Sequence, residues 1–502
     1  MKRALIIIGG IAALLAVGWG MLWNAGREEV NARLDAEIAA FKTLGTEITV
    51  AKREIGGFPF AYEVRASDIV VVDSGGQRTI RLPQLTARTE LSETERLVVQ
   101  LPATFSLEVT PNEETRAQQP DLLEQYLIEF ETIAAEVTTT GIPGAGRLVE
   151  IDAESLLMVY GDATSETSFA VELAEFTSRT EHPPQIAEAA TKVAAEIGLV
   201  DYVARGKADT GAPITFEGQV EGIQMSGSSA AETLEEIRAI LGGELTKGLD
   251  MTVTTQGNVS RVHTGGSDTT PAGTFTSGAG ASSALVSMTD GILELKGDTR
   301  ATSMQLVSDA EGPFKGGKVD IEIMDFTYSL PLAPSPDMQP FALKVAMVDV
   351  VMDDQLWSSI DPNDALDRAP AELVLDASGT MRTKMTPAEA TAAGENAFEF
   401  GNVSLNALNL DMLGLSAKAK GDVELLQPLN LPVGQIDVTL ENVDDVLAAM
   451  AQSGVMPPNN LMVAQLMLNS YTVLDDEGRR TAAVVMSETG ITVNGQPLGG
   501  PQ

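Results

Sequence analysis

The stretch Val319-Asp320-Ile321-Glu322-Ile323 alternates strictly between apolar and acidic side chains. Because successive side chains of a β-strand point to opposite faces, a period of two is typical of a strand with one apolar and one polar face. The stretch lies within residues 249–330, which are rich in Thr, Ser, Val and Gly and poor in helix-forming residues. This segment therefore predicts a series of consecutive strands, with turns at 265–268 and 278–280.

The same alternation extends outward in both directions along the chain. It recurs at 48–50, 62–72 and 96–109 on the amino-terminal side. Further strands are predicted over 147–175, 199–225, 341–352, 371–385, 399–425, 434–441, 471–474, 480–486 and 491–493. Asn494-Gly495 predicts a tight hairpin turn after the last of them. Strands joined by short turns indicate mainly antiparallel pairing.

Apolar residues three or four positions apart predict helices between these strands. The predicted helices cover 27–44, 120–140, 184–197, 230–241, 354–360, 443–452 and 459–468. The expected fold class is α+β: an N-terminal membrane helix, then a mostly antiparallel, elongated, curved sheet, open as a groove or closed as a sandwich, with several short packing helices. The expected division is 1–26 membrane helix, 27–45 juxtamembrane helix, 46–330 β-rich region with inserted helices, 331–340 proline-rich linker and 341–502 C-terminal α+β region.

The amino terminus has the pattern of a membrane anchor. Lys2 and Arg3 precede twenty residues, 4–23, without a charged or strongly polar side chain. As a helix this run is about 30 Å long, close to the hydrocarbon thickness of a bilayer. The basic pair favours a cytoplasmic amino terminus, and Trp19 and Trp23 suit the far headgroup region. We therefore expect a single-pass protein of the inner membrane with its bulk in the periplasm.

A cleaved secretory signal is the alternative for the same segment. Gly18-Trp19-Gly20 loosely fits a small-x-small cleavage site, although the apolar run is longer than the 7–15 residues of a usual signal core. Cleavage would release the remaining chain into the periplasm. Both interpretations export residues 27–502.

The net charge of the chain limits the classes of partner that it can bind. The chain has 33 Lys and Arg against 71 Asp and Glu, a net charge of −38. Such a surface repels nucleic acid phosphates and anionic headgroups, so no nucleic acid partner is expected. A solvated acidic surface and a surface for cationic partners both remain open. The hydrophobic content of 44% is that of a folded protein rather than a disordered one.

No enzyme or metal signature is present in the sequence. Cysteine is absent, and His182 and His263 stand far apart, whereas transition-metal sites need clustered ligands. Residues 312–318 fit the spacing G-x-x-x-x-G-K, but Val319 replaces the hydroxyl residue and a strand pattern follows, so a hairpin turn is expected. The acidic residues at 353–354 and 361–364 lack calcium-loop spacing, and Asp354 or Asp361 is expected to cap a helix. We expect no catalytic residues, no cofactor and no metal.

Gly57-Phe58-Pro59-Phe60 is the most distinctive motif of the exported part. Together with the ending Gly490-Ile491-Thr492-Val493-Asn494-Gly495-Gln496-Pro497-Leu498, it resembles the alphaproteobacterial domain-of-unknown-function family 2125 over nearly the whole chain. That family has no assigned activity, so the resemblance implies no catalytic residues.

The layout is also similar, more loosely, to AsmA-like envelope proteins. That similarity implies an anchor followed by a long curved sheet that carries lipid along an apolar groove, with phospholipid as a partner. In that case Phe58 and Phe60 would face the groove near the membrane, and otherwise they would pack a strand-turn core. The sequence thus predicts a non-catalytic envelope protein that binds or carries lipid, or alternatively a structural or assembly scaffold with a closed, dry core.

Overall fold

Antiparallel pairing between strands that are close in sequence organises the chain. The computed structural model describes residues 26–498 except 33, 37, 40, 41, 44, 45, 74, 112–125, 143–145, 162–166, 184–189, 209, 231–247, 267–270, 310–314 and 428–430. The described residues between 26 and 43 are helical, as predicted. Within the described part of the chain, no helix combines the length and the apolar character needed to cross a membrane.

Two sequence predictions fall outside the described residues. The anchor predicted over 1–26, with Lys2, Arg3, Trp19 and Trp23, lies there except for Gly26. The helix predicted over 230–241 lies there except for Ala230. Both stay predictions.

The chain divides into two units, residues 1–185 with 193–206, and residues 186–192 with 207–502. In the first unit, adjacent strands pair antiparallel from β1 to β9, and β10 lies beside β9. Its strands are β1 Glu47–Gly56, β2 Ala61–Val72, β3 Arg78–Glu90, β4 Glu93–Gln100, β5 Thr104–Val109, β6 Tyr126–Ile133, β7 Glu136–Ile142, β8 Gly146–Tyr160, β9 Ser168–His182 and β10 Thr191–Lys207.

The second unit is also built from antiparallel strands. Every pairing that the structure describes between its strands is antiparallel. Its strands are β11 Pro213–Ser229, β12 Leu249–Thr255, β13 Gly257–Thr264, β14 Gly273–Ala279, β15 Ser282–Thr289, β16 Ile292–Ser308, β17 Gly316–Pro331, β18 Gln339–Met352, β19 Ala371–Thr383, β20 Phe398–Met412, β21 Leu415–Leu426, β22 Leu431–Glu441, β23 Val473–Leu474, β24 Arg480–Ser487, β25 Gly490–Val493 and β26 Gln496–Pro497.

Both units have left-handed backbone positions along their strands. These residues lie inside strands or at a break between two collinear strands: Asp68 (φ 53°), Ala134 (51°) and Glu175 (54°) in the first unit, and Gly222 (58°), Ala301 (50°) and Asp349 (54°) in the second. A positive φ is uncommon for residues other than glycine. The mostly antiparallel sheet that the sequence predicts is confirmed by the strand pairings, and its curvature stays a prediction.

Among the described residues of the second unit, four helices accompany the strands: α1 Asp354–Ile360, α2 Pro387–Ala393, α3 Val443–Ser453 and α4 Pro458–Tyr471. α1, α3 and α4 were predicted. α2 was not, although its capping box, Thr386 with Glu389, is visible in the sequence. Trp357 of α1 is buried in a core with Leu366 and Val446. Residues 332–338, within the proline-rich stretch, connect β17 to β18 in this unit.

Two predicted helices are wrong where the structure describes them. Residues 126–133 and 136–142 form β6 and β7 instead of a helix over 120–140. The half-buried side chains are those of Tyr126, Ile128 and Phe130, which lie two residues apart on one face of the strand. Leu127 and Ile133, which the predicted helix would bury, are exposed. Residues 191–197 belong to β10 instead of a helix over 184–197. Strand pairing outweighs the helix propensity of its Ala and Glu residues.

Candidate functional site

The strand register places apolar side chains directly opposite one another across the whole first unit. We use the term apolar row for side chains that are paired, each with the next, on successive strands. One such row runs from β1 to β9 through Ile48, Val71, Ile80, Leu107, Ile128, Tyr160 and Phe169. All seven residues are half-buried. The first unit therefore has one continuous apolar face.

Aromatic contacts strengthen this face. Phe105 and Phe130, directly paired on β5 and β6, stack with ring centroids 4.6 Å apart. Tyr160 lies 5.6 Å from Tyr126 and 5.5 Å from Phe169 between ring centroids. Burial raises the pKa of the Tyr160 phenol, and the neighbouring Tyr126 raises it further. This direction is the one expected for a hydroxyl in apolar surroundings.

Two longer apolar rows cross the second unit side by side. The first connects eleven strands from β11 to β24 through Met225, Val253, Ala284, Gly297, Phe326, Val345, Leu375, Leu408, Ala419, Val438 and Ala482. The second connects β12 to β25 through Met251, Val286, Leu295, Tyr328, Leu343, Ala377, Leu405, Gly421, Ile436, Val484 and Val493. At about 4.8 Å per strand, ten spacings make each row about 48 Å long.

The apolar rows of the second unit are only partly covered. All residues of its first row are half-buried, and in its second row only Val493 is buried. β21 shows the contrast between the faces, because Ala417, Ala419 and Gly421 are half-buried while the intervening Lys418 and Lys420 are exposed. A closed sandwich core would bury such side chains completely. The rows therefore form an apolar surface that remains accessible.

Two glycines on this face lie beneath aromatic rings. A Cβ on Gly297 would lie 2.5 Å from the Phe326 ring, which is on the next strand. A Cβ on Gly379 would lie 2.8 Å from the ring of Phe341, its direct partner. Each ring thus occupies the space that a side chain on the paired glycine would take, as in the aromatic pairing that compensates for glycine in sheets.

Charged side chains lie on the opposite face, and two clefts are lined by both charged and apolar residues. The first, of about 560 Å³, is lined by residues that include Asp68, Arg81, Ser106, Glu129 and Glu131. The second, of about 590 Å³, is lined by residues that include Lys296, Asp298, Arg300, Asp325 and Lys344. Their charged side chains alternate along the strands with the apolar rows. Since Phe105 and Phe130 also line the first cleft, and Ala284, Gly297 and Phe326 of the first row also line the second, neither cleft is purely polar.

The Gly57-Phe58-Pro59-Phe60 motif forms the turn between β1 and β2, with a cis Phe58–Pro59 peptide. Phe58 is 53% exposed and Phe60 is 74% exposed, so neither side chain packs in a strand-turn core. The Phe60 carbonyl accepts a hydrogen bond from the Leu91 amide at 2.9 Å, which ties this turn to the one between β3 and β4. The motif thus presents two phenyl rings at one edge of the first sheet.

The first described residues approach that same edge. Gly26 lies against the Tyr62 hydroxyl, since a Cβ on Gly26 would be 1.8 Å from it. Farther along the helical segment, Asp35 accepts a hydrogen bond from Arg53 of β1 at 2.8 Å. The segment therefore begins beside the Phe58 and Phe60 turn and runs away from it along β1. The apolar run over 4–23 ends three residues before Gly26.

The other residues that the sequence singled out have structural roles. His182 and His263 are exposed, and the His263 Nδ1 lies 2.9 Å from the Thr274 hydroxyl. Asp353, rather than Asp354, caps α1 by accepting from the Leu356 amide at 2.8 Å. Asp361 follows the helix and accepts from the Leu366 amide at 2.7 Å.

Of the motif at 312–318, the structure describes only the residues from Lys315 onward. Lys315 to Val319 lead into β17, and no helix follows them. Among the described residues, no group of His, Cys, Asp or Glu is arranged to hold a metal ion.

Sequence reasoning singled out the Gly57-Phe58-Pro59-Phe60 motif but missed the apolar rows. Each strand shows its own alternation, yet a row exists only once the register between strands is known. Phe326 and Gly297 are 29 residues apart, and nothing local in the sequence indicates that they pair. The one available signal was the repeated presence of Gly or Ala on the apolar side of strands such as β21.

Comparison with known proteins gives a family but no function. No curated protein and no solved structure matches the chain. A family described as an uncharacterized protein conserved in bacteria (DUF2125) matches residues 23–278 and residues 266–501. Since these two segments cover almost the whole sequence, the chain belongs to the DUF2125 family of uncharacterized bacterial proteins.

Proposed function

We propose that this chain is a non-catalytic, membrane-anchored protein of the bacterial envelope that binds or carries lipid along the apolar face of its sheet. The single observation that carries the proposal is the pair of accessible apolar rows in the second unit. They run about 48 Å without a charged side chain. Moving an acyl chain from water onto this face would be favourable by about 0.8 kcal/mol for each CH₂ group that becomes buried.

The dimensions and surface chemistry of the face suit a mobile hydrocarbon ligand. A row of about 48 Å exceeds the roughly 30 Å hydrocarbon core of a bilayer, so acyl chains could occupy it end to end. Its side chains are largely aliphatic or small, with few polar groups to fix one ligand in one place. Carriage along the face is therefore favoured over tight binding of one small molecule.

The amino-terminal features support attachment to the cytoplasmic membrane. If residues 4–23 cross the bilayer, Gly26 would lie in the headgroup region. Because Tyr62 lies beside Gly26, the Phe58 and Phe60 turn would lie at the same depth. Aromatic side chains are favoured at that depth. The bulk of the chain would then lie in the periplasm. Signal cleavage would leave the same lipid face on a periplasmic protein.

A closed envelope scaffold is the competing proposal, and the half-buried rows disfavour it. A scaffold would use the same sheet as a dry core, in which these side chains would be buried against a second layer. The two proposals differ in what touches the apolar face in the cell.

Photo-crosslinking from single positions distinguishes them. A benzoylphenylalanine placed at Leu375 or Leu408 of the full chain, in cells, would face the apolar surface. Asp376 and Asn409, the next residues along the same strands, provide matched positions on the opposite face. We expect phospholipid adducts, detected by mass spectrometry after irradiation, at Leu375 and Leu408 but not at the matched positions.

The result that would contradict lipid carriage is equally specific. Adducts to protein segments at Leu375 and Leu408, without lipid, would show that another layer covers the face and would support the scaffold. Equal lipid labelling at all four positions would indicate nonspecific contact with membrane and would also count against the proposal.

A further inference from the structure

The second unit contains a long stretch without a single charge. Residues 446–474 carry no Asp, Glu, Lys or Arg, in a chain of which 21% of residues are charged. The stretch covers most of α3, all of α4 and β23. An uncharged surface of this length is unusual on an acidic protein that must remain soluble.

α4 is apolar on both of its sides. Leu461, Ala464 and Leu468 are half-buried on the inner side. On the outer side Met462, Val463, Leu466 and Met467 are exposed, at 66%, 52%, 66% and 53%. Their spacing makes them one continuous stripe. A continuous apolar stripe on a helix is normally covered by another element, and this one is exposed.

Arg480 fixes α4 to the rest of the unit. Its guanidinium donates to both carboxylate oxygens of Asp444 at 2.7 and 2.9 Å, which links α3 to β24. It also donates to Asn469 of α4 at 3.0 Å and to the Thr472 hydroxyl at 3.1 Å. At its carboxyl end, α4 is held by Asn494, whose side-chain amide donates to the Tyr471 carbonyl at 3.0 Å. The stripe is therefore presented by an anchored helix.

We infer that the outer stripe of α4 docks on a lipid bilayer surface of low charge. The stripe has no basic residue with which to attract anionic lipid. The acidic residues that flank the uncharged stretch, Asp444, Asp445, Asp475, Asp476 and Glu477, outnumber Arg479 and Arg480. Insertion would therefore depend on the burial of the apolar side chains alone.

A second copy of the chain is a poorer occupant of the stripe. Pairing two α4 helices would bring the two acidic borders together, and like charges in contact are unfavourable. A helix of 14 residues is about 21 Å long and about 10 Å wide, well short of the roughly 800 Å² that each partner buries in a stable complex. A membrane surface requires neither a matching charge nor a large interface. The inference goes beyond the proposed lipid carriage, which needs only the sheet face.

Fluorescence quenching at single positions tests this docking. The chain has no cysteine, so Val463→Cys in the full chain, held in a nanodisc, takes one environment-sensitive label. Phosphatidylcholine vesicles containing a doxyl-labelled lipid are then added. We expect quenching and a blue shift of the label at position 463. The matched label at Lys420→Cys, on the exposed face of β21, should show neither.

A second variant and a change of lipid complete the test. With Val463→Cys labelled, Leu466→Asp should weaken the vesicle affinity by roughly ten-fold or more while the circular dichroism spectrum is retained. Replacing part of the phosphatidylcholine by anionic phosphatidylglycerol should reduce binding. Absence of quenching at position 463 would overturn the inference. A blue shift without vesicles that grows with protein concentration would overturn it in favour of a second copy. Neither result would alter the crosslinking outcome at Leu375.

Discussion

At the scale of single residues, the apolar face depends on where side chains are missing. Gly297 and Gly379 leave room for the rings of Phe326 and Phe341. The rings supply apolar area at positions where glycine supplies none. A bulkier residue at either glycine would lift a ring off the surface.

Gly379→Ala is expected to destabilise the second unit. The new methyl group would lie 2.1 Å from the Asn402 carbonyl oxygen as well as 2.8 Å from the Phe341 ring, and a backbone oxygen cannot move aside cheaply. Overpacking of this kind costs about 1–3 kcal/mol. Chemical denaturation monitored by circular dichroism measures the loss. Gly248→Ala is the matched control, since its methyl group would have no neighbour within 4 Å. Equal stability of the two variants would contradict this account.

At the scale of elements, the turn between β23 and β24 is organised by one carboxylate. Asp475 accepts from the backbone amides of Glu477 and Arg479 at 3.0 and 2.9 Å, and from the Arg479 guanidinium at 2.8 Å. These interactions, with the Arg479 amide first, lower the pKa of Asp475 below its ordinary value of 3.8. The turn thereby holds the strand that carries Arg480.

A pH titration should expose this contribution. Because the folded-state pKa is lowered, the stabilisation is fully present above pH 3.8 and is lost as the pH falls through the folded-state pKa. We expect hydrogen exchange at the Gly478 amide, which donates to the Asp475 carbonyl at 3.0 Å, to accelerate in that acidic range relative to Asp475→Asn. A constant ratio between the two proteins over the same range would rule out the carboxylate as the cause.

Elements also show how far sequence reasoning reaches. Strands with strict alternation, such as the one around Ile321, and capped helices such as α1 follow from local patterns. β6 was mistaken for a helix because Leu127, Phe130 and Ile133 are three residues apart, as they would be on one face of a helix. The pairing of β6 with β5, which contains Phe105, favours the strand period of two instead. The Phe58 and Phe60 turn was singled out as a sequence motif, but its exposure did not follow from the sequence. The apolar rows did not follow from it either, since register is a relation between distant segments.

At the scale of the whole molecule, function should depend on the continuity of the apolar rows rather than on any one residue. Ala419 lies near the β24 end of its row, between Leu408 and Val438. A charge there would interrupt the apolar path, because a carboxylate next to an acyl chain loses hydration without gaining a partner. The neighbouring Lys420 faces away from the row.

Ala419→Glu is therefore expected to reduce the phospholipid that copurifies with the full chain, as measured by native mass spectrometry from nanodiscs. Lys420→Glu introduces the same side chain one residue farther on and should retain the lipid. Both variants should keep the circular dichroism spectrum of the parent. Retention of lipid by both would mean that the row at β21 does not contact lipid.

The pairing of strands that are close in sequence also affects how the protein folds and unfolds. In the described part of the chain, pairings join strands at most three positions apart in the sequence order, such as β4 with β7. Loop-closure entropy is consequently small at each step, and the sheet can lengthen hairpin by hairpin as the polypeptide emerges. Such a protein would unfold by successive losses from its ends rather than in one all-or-none transition, and chains shortened at a hairpin boundary would keep the preceding strands folded.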